Sequence, residues 1–297
     1  IYGLVALALF ISFSILNIAD LSTDGCFTLG CAVGAMLTIA GHPILALFAA
    51  MAAGMLSGYV TAFLQTRLGV ESILAGIIST TGLYTINLAV MGFSSNVSIT
   101  GVDTVFSLFK GLVGGQWSRL ILLALIAAVL VLVLIRFFGT SIGLSIRATG
   151  DSLDMVSASS INPKATITIG LCLANALTAL SGCLIGEYNK FCDINLGTGM
   201  VTIALASLII GEVFAGRRGS VGKRVVCVVL GSIVYRFIIA LALRLNISAE
   251  YFKLVSAVIV AVAIAAPNMK DYVHLAKIKS NARKLRALSG KGDETDA

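Results

Sequence analysis

Long apolar stretches separated by short polar interludes recur along the whole chain. Runs such as Leu120 to Phe138 stay apolar throughout and lack the alternation of a strand with one polar face. A hydrocarbon core needs about 20 residues of helix to cross it. That length and the intervening turn residues place predicted spans at 1–17, 22–41, 43–65, 72–93, 118–138, 164–186, 198–215, 224–245 and 251–267. The predicted fold class is all-α, a polytopic transmembrane helical bundle of about nine spans. Helices satisfy their own backbone groups in lipid, which an open sheet cannot do.

Composition agrees with the pattern. The 297 residues are 58% hydrophobic and 12% charged, with a mean hydropathy of +1.01. Soluble domains carry about a quarter charged residues, so lipid is the expected solvent. The chain divides into a membrane domain over 1–268 and a basic tail over 269–297. Beginning on Ile1, it is expected to lack its natural start. Its first apolar segment reads as a membrane anchor, because it has no basic lead and no small-residue cleavage site.

The charges orient the bundle. With the tail placed in the cytoplasm, 15 basic residues fall inside, among them Arg67, Arg136, Arg147, Lys164, Lys223 and Arg224, and only Lys110, Arg119, Lys190, Arg244 and Lys253 fall outside. The positive-inside bias therefore predicts a cytoplasmic C-terminus. The same bias accounts for the net charge of +7 without a nucleic-acid partner. Lys270 to Arg286 carries Leu275, Ile278 and Leu285 among its bases, which suits either simple charge anchoring or an amphipathic helix on anionic membrane lipid.

Six cysteines form no Cys-x-x-Cys pair, and His42 and His274 lie far apart, so the cysteines are expected to be small apolar packing residues and no metal is expected. Gly216 to Arg224 resembles a phosphate loop but has Arg217 at a glycine position and Arg224 at the hydroxyl position, so it is discounted. Asn96 and Asn246 stand in chance-prone glycosylation sequons. Gly54 and Gly58 form a small-xxx-small pair that lets helices approach closely.

Polar groups within spans carry more information, because a charge at mid-bilayer costs about 2.5–3.5 kcal/mol and needs a partner or water. Asn17, Asp20, Ser22, Asp24, Asn87 and Asn175 form the candidate substrate pathway, with Glu187, Glu212 and Arg236 beside them. Asp20, Ser22, Asp24 and Gly25 suit a broken helix that offers free backbone groups to a zwitterionic solute; equally, Asp20 and Asp24 suit helix caps in a cytoplasmic turn. Arg236 is expected to pair with Glu212 or to snorkel. Asp20 to Gly25 and Asp193 to Gly199 each precede a small-residue span, on opposite membrane sides by the loop count, as an inverted repeat would place them.

The inner loop from Gly139 to Lys164 contains Gly150-Asp151-Ser152, a helix-start signal capped by Asp151 or Ser152, with a short helix expected from about Leu153 to Ser160. Leu153, Met155 and Val156 give that helix apolar contacts, and Asp154 keeps it polar at the surface. A stiff helix along the inner face is suited to docking a partner.

Here the chain resembles ABC importer permeases of the branched-chain amino acid and ribose group. The resemblance rests on Gly143-Leu-Ser-Ile-Arg-Ala-Thr-Gly-Asp151, with Ser160-Ile161-Asn162 where the group has Gly-Ile-Asn, and on Gly211-Glu212, Gly216 to Gly222 and Gly231. Ile18-Ala-Asp-Leu-Ser-Thr-Asp-Gly25, Leu83-Tyr-Thr-Ile-Asn87 and Phe191-Cys-Asp-Ile-Asn-Leu-Gly197 resemble the tryptophan/tyrosine-type subfamily. The likeness runs from Gly3 to about Pro267 and implies a transport subunit that is not itself an enzyme. It implies two permease subunits as a homodimer in the bacterial inner membrane and an extracytoplasmic solute-binding protein. It also implies ATP-binding subunits at the cytoplasmic face, with ATP and Mg held there and no cofactor in this chain. Arg147, Ala148, Gly150, Asp151, Ser152 and Asp154 would couple to the ATPase, and the solute would be a small polar molecule, an aromatic amino acid by the subfamily likeness. The rival reading is an ion-coupled secondary transporter in which Asp20, Asp24 or Glu212 carries the ion. No nucleophile–base set supports a membrane enzyme.

Overall fold

A computed structural model of the chain describes residues 1–114, 117–159, 161–216 and 219–244, together with Val258 and Ala261. The predicted ninth span at 251–267 and the tail at 269–297 lie, but for those two residues, outside the described residues.

The described chain is helical except for one two-stranded ribbon. The first span is α1 (Tyr2–Leu9) continued by a π-helical segment (Phe10–Ile15). There follow α2 (Thr23–Ile39), α3 (Pro43–Thr66), α4 (Ser72–Val90), β1 (Asn96–Ser98), α5 (Val105–Val113) and α6 (Ser118–Phe138). Then come α7 (Ser141–Asp151), α8 (Leu153–Ala158), α9 (Pro163–Asn189), β2 (Phe191–Asp193), α10 (Met200–Ala215) and α11 (Val221–Arg244). β1 and β2 pair antiparallel, with Val97 opposite Cys192.

Local chemistry explains the boundaries. Pro43 and Pro163 open α3 and α9, where a missing N–H costs nothing. The Asn162 carbonyl oxygen on its side chain accepts from the Lys164 and Ala165 amides and caps α9. Thr104 and Ser107 form a reciprocal capping box at α5.

Among the described residues five helices are long and apolar enough to cross a membrane: α3, α4, α6, α9 and α11. The first span, α2 and α10 are shorter apolar helices and lie close to the predicted spans 1–17, 22–41 and 198–215. Residues 16–22 and 194–199 are not helical, so α2 and α10 each begin from irregular backbone, within two residues of the predicted starts at 22 and 198.

α9 is the centre of the bundle and is buried along most of its length. Gly30 and Gly34 of α2 and Gly54 and Gly58 of α3 face its backbone. A Cβ on Gly58 would stand 2.6 Å from the Leu171 carbonyl oxygen, and one on Gly30 would overlap the Ala179 carbonyl. The small residues therefore set the interhelix distance, because lipid tails offer helices no hydrophobic reason to associate. α6 is the opposite case: Leu120, Leu125, Val129 and Leu132 are exposed along it, as on a lipid-facing helix.

The connection read as one inner loop holds two helices. α7 was not anticipated; Thr140 caps it and buried Ile146 packs beside Gly170 and, at the end of the first span, Leu16. The expected short helix is α8, with the Ser152 hydroxyl accepting from the Met155 amide; Asp151 ends α7 and does not cap α8.

Candidate functional site

The first span ends in wide π-helical turns, and Asn17 then takes a left-handed backbone at φ 55°. The chain reverses over 17–22 and α2 climbs alongside α9 in the same direction, with Asn175 beside Ser22 and Glu187 beside Thr38. Asn175 is the thirteenth of the 27 residues of α9. The break therefore lies near the middle of a helix about 40 Å long.

Irregular backbone at that depth must be satisfied by protein. Asp20, 3% exposed, accepts from the Ser22 amide (2.9 Å) and hydroxyl (2.6 Å) through Oδ1 and from Asn175 Nδ2 (2.9 Å) through Oδ2. The Thr80 hydroxyl donates to the Leu21 carbonyl at 2.8 Å, and Asn87 Nδ2 donates to the Gly25 carbonyl at 3.1 Å. Asp20, Ser22, Asn87 and Asn175 thus meet around one turn. Asn17 is exposed and outside this set.

Asp24 faces the other way. Its Oδ2 accepts from the Gly199 amide and its Oδ1 from the Val201 amide, each at 2.9 Å. These are free donors at the start of α10, so a carboxylate on one half-helix caps the N-terminus of another, where the helix dipole favours negative charge. The Thr28 hydroxyl extends the contact by accepting from the Gly197 amide at 3.1 Å. From this junction α2 runs toward the Thr38–Glu187 pair and α10 toward Ser14 and Glu212. The Asp20–Gly25 segment and the Gly197–Gly199 end of the second motif meet at Asp24 and Thr28, and α2 and α10 leave that meeting point in opposite directions.

A cavity of about 560 Å³ opens beside the junction between α2, α3 and α4. Leu29, Val33, Leu56 and Leu83 give it an apolar wall, and Ser57 and Ser79 contribute hydroxyls. The buried Ser57 Oγ has no hydrogen-bond partner among the described residues.

Toward the α7–α8 end, Arg224 donates to Glu212 at 2.7 Å and to the Ser14 hydroxyl at 2.5 Å, while Ser14 also bonds Glu212. Arg236 does not pair with Glu212. Its guanidinium lies 3.2 Å from the centre of the Tyr2 ring, where stacking replaces an ion pair, and Arg224 is one helical stretch nearer to Glu212. Arg224 is the last residue of the discounted phosphate-like loop, which follows a helix and not a strand. Sequence reasoning missed the Ser14–Glu212–Arg224 cluster and the capping of α10. The Asp193–Gly199 motif carried the signal for the cap, and nothing local pointed to Ser14.

On the α7–α8 surface, Gly150 lies against the Ile15 carbonyl, Arg147 and Ala148 are half-buried, Ser152 caps α8, and Asp151 and Asp154 are exposed. Leu153 and Met155 of α8 are also exposed, at 53% and 72%.

Residues 1–264 match the model of the family described as branched-chain amino acid transport system / permease component. The chain belongs to this family of ABC-type transport permeases. It is 30% identical over 292 residues, 98% of this chain and 95% of the other, to a protein of Clostridioides difficile (strain R20291) named tyrosine transport system permease protein. It is 29% identical over 268 residues, 89% of this chain and 93% of the other, to an uncharacterized protein of Rickettsia prowazekii (strain Madrid E). No solved structure matches it. As a permease it is a multi-pass membrane protein and a transport subunit that works with ATP-binding subunits.

Proposed function

We propose that this permease serves an ATP-driven importer and moves a small amino acid, aromatic in side chain, by alternating access. The observation that carries the reading is the junction of two half-helices at mid-depth, where Asp24 of α2 caps α10. Discontinuous helices let a bundle change shape around a fixed site without breaking full-length spans. The apolar cavity beside the junction suits an aromatic ring, and Ser57 and Ser79 suit its polar end. The name of the Clostridioides difficile relative supports tyrosine as the first solute to test.

In this reading the Asp20–Ser22–Asn175 set holds the turn in register, Asp24 ties the two half-helices, and Asn87 fixes α4 to the start of α2. Asn17, exposed at the turn and outside the cavity lining, would contact the solute only along the pathway that leads from it. Arg147, Ala148, Gly150, Asp151, Ser152 and Asp154 form the coupling surface, with Leu153 and Met155 as the apolar contacts an ATPase groove would cover. Motion of α7 would reach Ile15 through Gly150 and hence the turn at Asp20. ATP and Mg stay on the partner, a second copy of this chain completes the pathway, and an extracytoplasmic binding protein delivers the solute. The bundle has nine spans in the bacterial inner membrane with the α7–α8 end and the C-terminus in the cytoplasm.

The test is affinity purification from gently solubilised membranes, followed by mass spectrometry and an ATPase assay. A stoichiometric ATP-binding subunit, stimulated by a binding protein whose ligand is an aromatic amino acid, is the expected result. A homo-oligomer that carries solute on an ion gradient without such a subunit would overturn it.

A further inference from the structure

A second cavity, about 320 Å³, lies between the end of α3 and the start of α9. Arg67 and Lys164 reach it from helices remote in sequence, with Asn162, Thr66 and Thr168 beside them. None of its lining residues is acidic. Among the described residues neither the Arg67 guanidinium nor the Lys164 ammonium has an ion-pair partner. The Thr66 and Thr168 hydroxyls donate to the Ala62 and Lys164 carbonyls, and the Asn162 side-chain oxygen is taken by the α9 amides. What remains free to bind a ligand is two cations and the Asn162 side-chain NH₂, a donor set that selects an anion.

The lining changes with depth. Arg67 and Lys164 stand at the helix ends, whereas Phe63 and Tyr59 lie one and two turns further into α3 and Ile169 one turn further into α9. Tyr59 and Phe63 are exposed, with ring centres 6.5 Å apart. A charged mouth leading into an aromatic and aliphatic wall matches a molecule that is anionic at one end and apolar along the rest. We propose that this cavity binds the phosphate headgroup of an anionic phospholipid of the inner leaflet, with its acyl chain laid along Tyr59, Phe63 and Ile169. Basic pockets between helices at a membrane surface take such headgroups. The site is separate from the junction and does not depend on which solute is carried.

Native mass spectrometry of the full chain purified with its ATP-binding subunit, loaded with equimolar phosphatidylglycerol and phosphatidylcholine, tests the assignment. Wild-type protein is expected to retain phosphatidylglycerol selectively. The double variant Arg67→Ala, Lys164→Ala should lose retention by about 30-fold, since each basic residue near the surface contributes roughly a factor of five. The conservative pair Arg67→Lys, Lys164→Arg should keep most of it, as should Arg136→Ala at the end of α6. Tyr59→Ala, Phe63→Ala should weaken the lipid while leaving inorganic phosphate without measurable binding. Equal retention of the two lipids by wild type would overturn the proposal, as would unchanged phosphatidylglycerol retention in the double alanine variant. So would displacement of the lipid by inorganic phosphate alone, which marks a free-anion site. Loss of the ATP-binding partner with lipid retention intact would mark a protein-docking surface and overturn it equally.

Discussion

Asp20 and Asp24 stand four residues apart, and the hydrogen bonds around them differ in kind. Asp20 is closed within its own turn and against Asn175, whereas Asp24 reaches a segment 175 residues away. Asp24→Ala leaves two α10 amides without an acceptor, a cost of about 1–3 kcal/mol. Thermal unfolding of the solubilised protein should show that loss, with Asp24→Asn milder because one acceptor oxygen survives. Asp20→Ala and Asn175→Ala share one hydrogen bond, so their destabilisations should fall short of additive by about 0.5–3 kcal/mol in a double-mutant cycle. Additive effects would mean that the Asp20–Asn175 contact contributes nothing. The sequence marked Asp20 and Ser22 as candidates without pairing them; the bond is a local one, of the kind such side chains make to backbone two residues on. The partnership of Asp24 with Gly199 was not legible there, since hydrogen-bond reach across 175 residues is set by how α2 and α10 meet and not by any local pattern.

Among the elements, hydropathy located the apolar segments and their ends within a few residues. α3, α4, α6 and α9 follow the predicted boundaries within a few residues because proline, glycine and charge mark their ends. The ends of α2 and α10 also fall within two residues of the predicted spans 22–41 and 198–215; what hydropathy left unread is that the backbone before each is irregular and satisfied by distant partners. α7 was missed because its serines, threonine and glycines read as loop, although Thr140 and the burial of Ile146 stabilise it. Glycines along the helices give an internal contrast. Gly30→Ala forces α2 off α9 and should destabilise by about 1–3 kcal/mol. Gly82→Ala meets nothing within 4 Å and should be neutral or stabilising by up to about 1 kcal/mol. Equal melting temperatures for the two variants would show that the α2–α9 seam is not close-packed. Gly150→Leu is a related case: its side chain would collide with the Ile15 carbonyl, so it should shift the first span and slow transport, not merely loosen a surface helix.

At the scale of the whole molecule, the bundle links an exposed helix at one end to a broken-helix junction at mid-depth. α8 presents Leu153 and Met155, α7 rests on the end of the first span, and five residues later the chain reaches Asp20. Leu153→Ser with Met155→Gln should release the ATP-binding subunit on co-purification while the melting temperature stays within about 2 °C, as surface changes do. Retention of the subunit would remove α8 from the docking surface. The reading as an ATP-driven importer is tested most directly by tyrosine uptake into proteoliposomes that contain the permease, its co-purified ATPase and the binding protein. Uptake should require ATP inside the compartment that holds the ATPase, persist when ion gradients are collapsed, and fall at least tenfold in Asp24→Ala protein that still holds the ATPase. Uptake that follows an imposed proton or sodium gradient and ignores ATP would contradict it and make Asp20 and Asp24 ion carriers.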